Sequence, residues 1–163
     1  MIERIIYLND GRSIKITASG GSPRRYRNIF GRDLFMDMDK VTRDYFKVME
    51  EGNTESEESE KESSEDIIKS AAVVMDSAEF DEEDMTIIEN CLFMMSSGII
   101  RLIDGKEIPH ADVVEMLDDI KTQEVFMSIP EIVYLWFENL GTIEPENNEE
   151  SNETENNQKK TNP

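Results

Sequence analysis

Cysteine and histidine are nearly absent from this chain of 163 residues, which contains one of each. The lone Cys91 excludes an intramolecular disulfide framework. Because His110 is far from Cys91 in the sequence, the pattern also argues against a zinc site of the usual histidine and cysteine type. We expect Cys91 to be a small buried residue in an apolar helix and His110 to be solvent-exposed in a polar loop. The sequence therefore predicts neither a metal site nor a cofactor.

Positive charge and long apolar runs are also scarce. The 17 Lys and Arg residues are outnumbered by 37 Asp and Glu residues, which gives a formal net charge of −20. Such a chain repels phosphate groups, so we expect no binding to nucleic acid or to an anionic membrane surface. No stretch approaches the ~20 apolar residues of a membrane helix, and charges interrupt the N-terminal run where a signal peptide would have its core. We therefore expect a soluble, cytosolic protein.

The sequence patterns that carry catalysis are missing as well. The glycines form neither a phosphate-binding loop nor a dinucleotide-binding fingerprint, and the spacing of an EF-hand loop does not occur. Carboxylates are abundant, but they lie in runs such as ESEESE and DEED, which favours solvated charge over a tuned pair of acid and base. We therefore predict no catalytic residues and a protein that is not an enzyme.

Two segments contain too few apolar residues to fold. Residues 51–66 contain eight acids, one lysine and four serines, and residues 144–163 contain six acids and two lysines. Neither segment can bury enough apolar surface to offset the entropy lost on ordering. We predict a flexible acidic linker over 51–66 and a disordered tail over 144–163.

The segment before the linker, residues 1–50, begins with the pattern of a β-hairpin. Apolar residues alternate along Ile2–Leu8, Asn9–Gly11 has turn chemistry, and Ile14–Ala18 continues the alternation. This pattern predicts two antiparallel strands. Because an isolated hairpin is marginal in water, we expect it to pack on the rest of the protein.

One long helix is predicted after the hairpin. Ser22 followed by Pro23 is typical of a helix start, with Ser22 as the N-cap, and we expect the helix to run to about Met49. Its opposite charges at i,i+4 include Lys40 and Asp44. An apolar stripe with helical spacing predicts its core face: Tyr26, Phe30, Leu34, Met38, Val41, Tyr45 and Val48.

For residues 67–143 we predict a second block of helices, which packs with residues 22–50 as one domain. The acidic run DEED is placed where a helix N-terminus favours negative charge, and the apolar helix after it is expected at the centre of the core. The fold class is therefore mainly α: a small helical bundle with an N-terminal β-hairpin. The predicted elements are a helix capped by Asp66, an apolar helix with the stripe Ile88, Leu92, Met95 and Ile99, a loop over Ile103–Asp112, short helices over Ala111–Ile120 and Thr122–Ser128, and a last helix over Pro130–Leu140 that Gly141 ends.

The stretch SPRRYRNIFGRDLF concentrates four arginines and two phenylalanines in Ser22–Phe35. Arginines in the first turn of a helix oppose its dipole at ~0.3–1 kcal/mol each, so something should offset that cost. They pair either with the protein's own acids, such as Asp33, Asp37 or the linker, or with an acidic protein partner. A nucleic-acid site is disfavoured, because residues 1–50 carry only ten Lys and Arg against seven Asp and Glu.

Three apolar residues lie off the main stripe of this helix and predict a second contact surface, either for the second helical block or for a partner. Together with three arginines they form the set of candidate partner-binding residues: Arg24, Arg25, Arg32, Phe35, Met36 and Phe46.

The sequence also resembles a family of phage tail assembly chaperones from tailed phages and prophages of Gram-positive bacteria. The resemblance rests on SPRRYRNIFGRDLFMDM after a strand that ends in ITASGG, on MTIIENCLFMMSS, on the Ile108-Pro109 step, and on the closing IPEIVYLWFENL. Order and spacing match over about 120 residues, while the acidic linker is longer and an expected aromatic is missing at Val113–Leu117. The family-motif residues, which we interpret as structural, are Pro23, Tyr26, Phe30, Gly31, Asp33, Pro130, Trp136 and Asn139.

The resemblance implies a protein that binds the tape measure protein, keeps this long helical molecule soluble, and promotes polymerisation of the tail tube around it. The major tail tube protein and a second copy of the chain are further candidate partners. The resemblance also implies residence in the bacterial host cytoplasm and absence from the mature virion. A longer product made by ribosomal frameshifting near Lys159-Lys160 is a related hypothesis. The alternative function is an acidic phage-encoded regulatory protein that binds a host target.

Overall fold

The computed structural model describes residues 1–52, 74 and 79–141. The predicted helix after Asp66 (apart from Val74, which is buried), the linker beyond Gly52 and the tail all lie outside these residues. The described part is mainly helical with one small antiparallel sheet, which confirms the predicted fold class. Its elements are β1 (Ile2–Tyr7), β2 (Ser13–Ala18), α1 (Ser22–Phe30), α2 (Leu34–Gly52), α3 (Glu82–Ser96), β3 (Ile99–Arg101), β4 (Glu107–Pro109), α4 (Val113–Asp118) and α5 (Thr122–Leu140).

The predicted hairpin forms, because β1 pairs antiparallel with β2 along its whole length. Gly11 in the turn has a φ of 86°, a left-handed conformation that glycine adopts without strain. The inward face of the hairpin is buried against helices, as its alternation predicts: Ile6, Leu8, Ile14, Ile16 and Ala18 are all in the core.

The single helix predicted over residues 22–49 is wrong, because the structure has two helices there. Gly31 adopts a φ of 67° and ends α1 by donating its N–H to the carbonyl of Arg27 at 2.8 Å. Asp33 then starts α2 by accepting the amide of Phe35 at 2.9 Å. These local caps satisfy the freed backbone groups. Periodicity alone could not show the break, because the apolar stripe continues on both sides of it.

Ser22 is not the N-cap that the sequence predicts. Gly21 is in the N-cap position, and Ser22 lies in the first turn of α1, where it is buried. Its hydroxyl accepts the amide of Ser19 at 3.0 Å. The serine therefore fixes the chain that enters the helix, and no described side chain caps the first amides of α1.

The apolar helix α3 lies at the centre of the core, as predicted. It begins with a capping box in which Asp81 accepts the amide of Asp84 at 2.9 Å and Asp84 accepts the amide of Asp81 at 3.0 Å. Cys91 is buried, and burial raises the pKa of its thiol. Residues on several sides of this helix are buried because α1, α2, α5 and the sheet all pack around it.

The loop predicted over Ile103–Asp112 is wrong in part, and so is the placement of Ile99 in the preceding helix. The helix ends at Ser96, and Ile99 opens β3, which forms a second hairpin with β4. Gly98 makes this exit possible: its φ is 69°, and a Cβ there would lie 2.8 Å from the carbonyl oxygen of His110. Three-residue strands are too short to show an alternation.

The last helix is longer than predicted. Helix α5 runs through Pro130 without ending, so the short helix over Thr122–Ser128 and the helix over Pro130–Leu140 are one element. Proline removes one backbone hydrogen bond from a helix. Buried residues on both sides of Pro130 keep the helix packed across it: Val125, Ile129, Ile132, Val133 and Trp136. Gly141 ends α5 in the left-handed conformation, as predicted.

The two hairpins join into one sheet of order β1-β2-β3-β4 in the described part of the chain. Helices α3 and α5 cover its inner face, and α1 and α2 pack on α3 from the other side. One continuous core connects these layers, so the described helices and the sheet share their buried residues.

Candidate functional site

The six candidate partner-binding residues occupy three different places. Phe35 and Phe46 are eleven residues apart on α2, which puts them within about 20° of each other around the helix. Met36 lies about 100° away from Phe35. Phe35, Met36 and Phe46 are 52%, 73% and 40% exposed. The structure thus separates Met36 from the two phenylalanines, which together face α5.

Phe35 and Phe46 meet two aromatic residues of α5. The ring of Phe35 stacks edge-on against Trp136 with a centroid distance of 5.3 Å, and the ring of Phe46 lies 5.9 Å from Phe137. We call these four residues the aromatic seam. Trp136 is buried, Phe137 is partly buried, and the two phenylalanines of α2 are half exposed.

The aromatic seam extends over about three helical turns, or ~16 Å along α2. Leu140, one turn beyond Phe137 on α5, is a further exposed apolar residue. On α2 the polar residues Asp39 and Thr42 lie between the two phenylalanines on this face, so the seam consists of two aromatic clusters, one at each end. Exposed aromatic clusters on a helix pair are typical of a contact surface for another helix. The seam is therefore the strongest candidate for partner binding among the described residues.

Arg32 contacts acids of the protein itself. Its Nε and Nη2 donate to the two oxygens of Asp37 at 2.7 and 2.8 Å, and Nη2 also donates to Glu83 at 3.2 Å. The buried hydroxyl of Tyr26 donates to Asp37 at 2.8 Å. Burial raises the pKa of Asp37, but the hydrogen bonds from Arg32 and Tyr26 outweigh it and hold that pKa below its usual value. This network joins α1, α2 and α3.

A second ion cluster, which sequence reasoning missed, lies next to this network. The ammonium of Lys40 is 2.9–3.0 Å from carboxylate oxygens of Asp44, Asp81 and Asp84. The signals were the i,i+4 spacing of Lys40 and Asp44 and the acidic run DEED, but nothing in the sequence showed that α2 and α3 bring them together. Lys40 holds the N-terminus of α3 against α2.

Asp84 is fully buried within this cluster. Burial raises its pKa to about 7, and the neighbouring Asp44 adds to the increase while Lys40 opposes it. The pKa of Asp44 stays below its usual value, since hydrogen bonds from Asp84 and Lys40 outweigh its own burial. Oxygens of Asp44, Asp81 and Asp84 lie within 4.8 Å of one another, which would suit a metal ion, but the ammonium of Lys40 stands where that cation would be.

Both ion clusters line an open groove of about 840 Å³ between α2 and the start of α3. Met36 lies on its wall among residues of both charge signs. Mixed charges that already pair with one another give the groove no strong preference for an anion or a cation. The groove carries less binding potential than the aromatic seam.

Unlike Arg32, the arginines of the first turn of α1 have no close ion pair with described acids. Arg24 and Arg25 are exposed and form no ion pair with any described residue. Arg27 is 3.9 Å from Asp33, a long and exposed contact. The sequence left open whether these arginines pair with acids of the protein or of a partner. In the structure Arg32 pairs with the protein's own acids, whereas Arg24 and Arg25 point into solvent.

The family-motif residues lie at joints of the fold. Phe30 packs on the buried Tyr26 with a ring distance of 5.0 Å, while Gly31 and Asp33 shape the break between α1 and α2. The amide of Asn139 donates to the carbonyl of Ser19 at 3.3 Å, which ties α5 to the end of β2. The remaining three stand within helices: Pro23 in the first turn of α1, and Pro130 and Trp136 in α5.

The predicted exposure of His110 is wrong. Its side chain is only 5% exposed, with Nδ1 2.9 Å from the carbonyl oxygen of Gly98 and Nε2 3.1 Å from a carboxylate oxygen of Asp119. The polar sequence around it suggested a loop, but Asp119 at the end of α4 and Gly98 at the end of α3 enclose the ring. His110 therefore connects these two helices.

Basic residues of the first 52 positions repeatedly pair with acids of residues 79–141. Arg4 binds Glu131 and Glu138 on α5 at 3.0 and 2.7 Å, and Arg12 binds Asp119 at 3.1 Å. Arg32 and Lys40 make the equivalent contacts to the start of α3. The uneven distribution of charge along the sequence thus helps to join the two parts of the fold.

None of the described helices combines the length and the apolar character that crossing a membrane requires. Comparison of the chain with protein-family models, with curated proteins and with solved structures finds no match. Membership of the tail assembly chaperones therefore stays a prediction from the sequence motifs.

Proposed function

We propose that this protein is a phage tail assembly chaperone that binds the tape measure protein, keeps it soluble and promotes polymerisation of the tail tube around it. The observation that carries the proposal is the aromatic seam, where Phe35 and Phe46 stay half exposed on a well-packed helix pair. The motif resemblance supplies the identity of the partner. The proposed place of action is the cytoplasm of the bacterial host, outside the finished virion.

The seam suits an amphipathic helix as a ligand. A helix laid along α2 and α5 would bury its own apolar stripe on Phe35, Phe46 and Phe137, since a stripe continued from i, i+4 and i+7 to i+11 spans the ~16 Å between the two phenylalanines. Trp136 holds the ring of Phe35, and Tyr45 and Phe137 hold the ring of Phe46, so little side-chain entropy is lost on binding.

The net charge of the chain supports the proposal that the protein keeps the tape measure protein soluble. A net charge of −20 disfavours association between complexes that each carry it. A chaperone that covers apolar helices of a partner and adds negative charge to the complex would keep that partner from aggregating. Arg24 and Arg25 are exposed on α1 and have no ion pair in the described part. In the proposed complex they form ion pairs with carboxylates of the partner.

Co-expression with the tape measure protein tests the proposal. We expect the wild-type chain to keep the tape measure protein in the soluble fraction and to co-purify with it. The double variant Phe35→Ser, Phe46→Ser should reduce co-purification at least tenfold, because it removes two aromatic anchors. A matched control is Val114→Ser, which changes an exposed apolar residue on α4, away from the seam, and it should co-purify like the wild type.

Two outcomes would contradict the proposal. One is a tape measure protein that stays insoluble with the wild-type chain, and the other is equal co-purification of the double variant and the wild type. A pull-down from infected cells that captures a host enzyme in place of tail proteins would support the alternative function, an acidic regulatory protein with a host target.

A further inference from the structure

The edge of the sheet formed by β1 is open in the described part of the chain. The strand order β1-β2-β3-β4 leaves one outer edge on β1 and the other on β4. The β4 edge is short, with three residues, and includes Pro109, and both features protect a sheet from edge-to-edge pairing. Strand β1 has six residues, contains no proline and pairs with β2 without a bulge. The two edges are therefore not equally protected.

The hydrogen-bond phase of the hairpin shows which backbone groups of β1 face outward. The amide of Leu8 donates to the carbonyl of Arg12 at 2.8 Å, so this pair is of the hydrogen-bonded kind. Such pairs alternate along an antiparallel ladder, and the register of β1 and β2 is continuous. The N–H and C=O groups of Glu3, Ile5 and Tyr7 consequently point away from β2. No described residue bonds to them.

The side chains of the same three residues are also exposed. Ile5 is 45% exposed and Tyr7 is 70% exposed on the outer face of the sheet, and Glu3 lies beside them, 3.6 Å from Lys15. Arg4, the other charged residue of β1, faces inward and is held by Glu131 and Glu138. No lysine or arginine side chain of β1 therefore extends past this edge to block another strand.

We propose that β1 pairs antiparallel with β1 of a second copy of this chain, with Ile5 opposite Ile5 on the twofold axis. This register puts Glu3 of each copy opposite Tyr7 of the other, so a carboxylate faces a hydroxyl at both ends and two β-branched side chains meet in the middle. It uses every outward backbone group of the three residues in about six hydrogen bonds. The β1 surface is self-complementary, as a twofold interface requires, which favours a second copy over a different protein.

The dimer extends the sheet across the axis and places both α5 helices on the same face. A single strand pair buries less than the ~1,200 Å² of a stable interface, and both copies are acidic. The association is therefore reversible and depends on concentration. This inference does not rest on the proposed chaperone function, because the aromatic seam lies on α2 and α5 and not at the β1 edge.

Disulfide trapping of the full-length chain tests the register. In the variant Ile5→Cys the two thiols face each other across the axis, within the Cα separation of ~4.4–6.8 Å that a disulfide spans. In the matched control Tyr7→Cys, an equally accessible position on the same face, the two thiols lie ~14 Å apart. Cys91 is buried and does not compete. With diamide as the oxidant, we expect Ile5→Cys to form at least five times more covalent dimer than Tyr7→Cys.

Equal crosslinking of the two variants, no crosslinking of either, or more from Tyr7→Cys would overturn the proposal. Sedimentation of uncrosslinked protein gives an independent check. Ile5→Lys puts two ammonium groups together on the axis and should weaken the dimer at least tenfold, while Ile5→Thr keeps a β-branched residue and should stay within threefold of the wild type. A wild-type protein that is monomeric at millimolar concentration, with its edge covered by its own chain, would also refute the pairing.

Discussion

The two sides of α2 use its outward residues in opposite ways. On the side of α3, Lys40 of α2 and Arg32, which precedes this helix, pair with Asp37, Glu83 and the Asp44–Asp81–Asp84 group, so these two cations are satisfied by the protein itself. On the side of α5, aromatic rings touch one another and yet stay half exposed. Charge on the α3 side thus joins helices of the protein itself, while the apolar surface that faces α5 stays partly exposed.

Removal of the Lys40 ammonium should have the largest effect on stability. Lys40→Met leaves Asp44, Asp81 and the buried Asp84 without their shared cation. At pH 8, where Asp84 with its pKa of about 7 is ionised, the loss of this cation should cost about 3–5 kcal/mol. Chemical denaturation measures the loss in the free energy of unfolding. The control is Arg43→Met, one turn further along α2, where the pair with Asp39 is exposed and a change within about 0.5 kcal/mol is expected. Equal losses for the two variants would remove the distinction between internal and surface charge on this helix.

Asp84 should make stability fall as pH rises. Its pKa in the folded protein is about 7, above the ~3.9 of an unfolded aspartate, so between these values the folded state binds more protons than the unfolded chain. The contribution is fully present below pH ~4 and is lost as the pH rises through ~7.

The matched variant for this pH effect is Asp84→Asn, which keeps an oxygen for the capping box and cannot ionise. Its free energy of unfolding should gain about 2–4 kcal/mol relative to the wild type between pH 4 and pH 8. Denaturation at a series of pH values measures the difference. The exposed Asp39→Asn should follow the wild-type pH profile, and a wild-type profile in Asp84→Asn would contradict the assignment.

The arginines of the opening motif should separate into two classes. Arg32→Gln breaks the bidentate contact with Asp37 and should cost about 1–3 kcal/mol in unfolding free energy. Arg24→Gln changes an exposed residue without an ion pair in the described part and should stay within about 0.5 kcal/mol. Thermal or chemical unfolding compares them. A destabilising Arg24→Gln would mean that both arginines serve the fold and neither is kept for a partner.

On the side of α2 that faces α5, we expect a smaller effect on stability than at Lys40, Asp84 or Arg32. Phe46→Ala loses ring contacts with Tyr45 and Phe137 and the burial of a ring that is already 40% exposed, which together should cost about 1–2 kcal/mol. Leu34→Ala, on the buried side of the same helix, should cost about 2–5 kcal/mol. The comparison by denaturation measures whether the seam serves folding or binding, and a loss at Phe46 as large as that at Leu34 would assign the seam to the core.

Local sequence signals correctly predicted the elements in which the local preference of the residues and the tertiary packing favour the same structure. The β1–β2 hairpin, the core stripe of α2 and the buried α3 follow from periodicity, because side chains repeat with the geometry of the backbone. The signals failed where local and tertiary preferences differ. Gly31 splits a continuous stripe, Pro130 is retained inside α5 by the core on both sides of it, and β3–β4 is too short to show alternation.

The candidate site was predictable only as a list of residues. Phe35, Met36 and Phe46 were identified as lying off the core stripe, but their division between the aromatic seam and the groove depends on where α3 and α5 pack. The Lys40 cluster was not predictable, because Asp81 and Asp84 are more than forty positions from Lys40 in the chain. Contacts over such a separation leave no periodic trace in one sequence.

By itself, the sequence determined the mainly helical class, the N-terminal hairpin, the central apolar helix and the concentration of basic residues in the first third of the chain. These depend on spacing and composition, which are local properties. The tertiary structure decided that Arg32 and Lys40 are bound by the protein's own acids, that His110 is enclosed, and that Phe35 and Phe46 meet α5 with half of their surface exposed. These outcomes depend on which helices pack side by side, since an ion pair or an exposed ring is defined only by the neighbours that the fold brings to it.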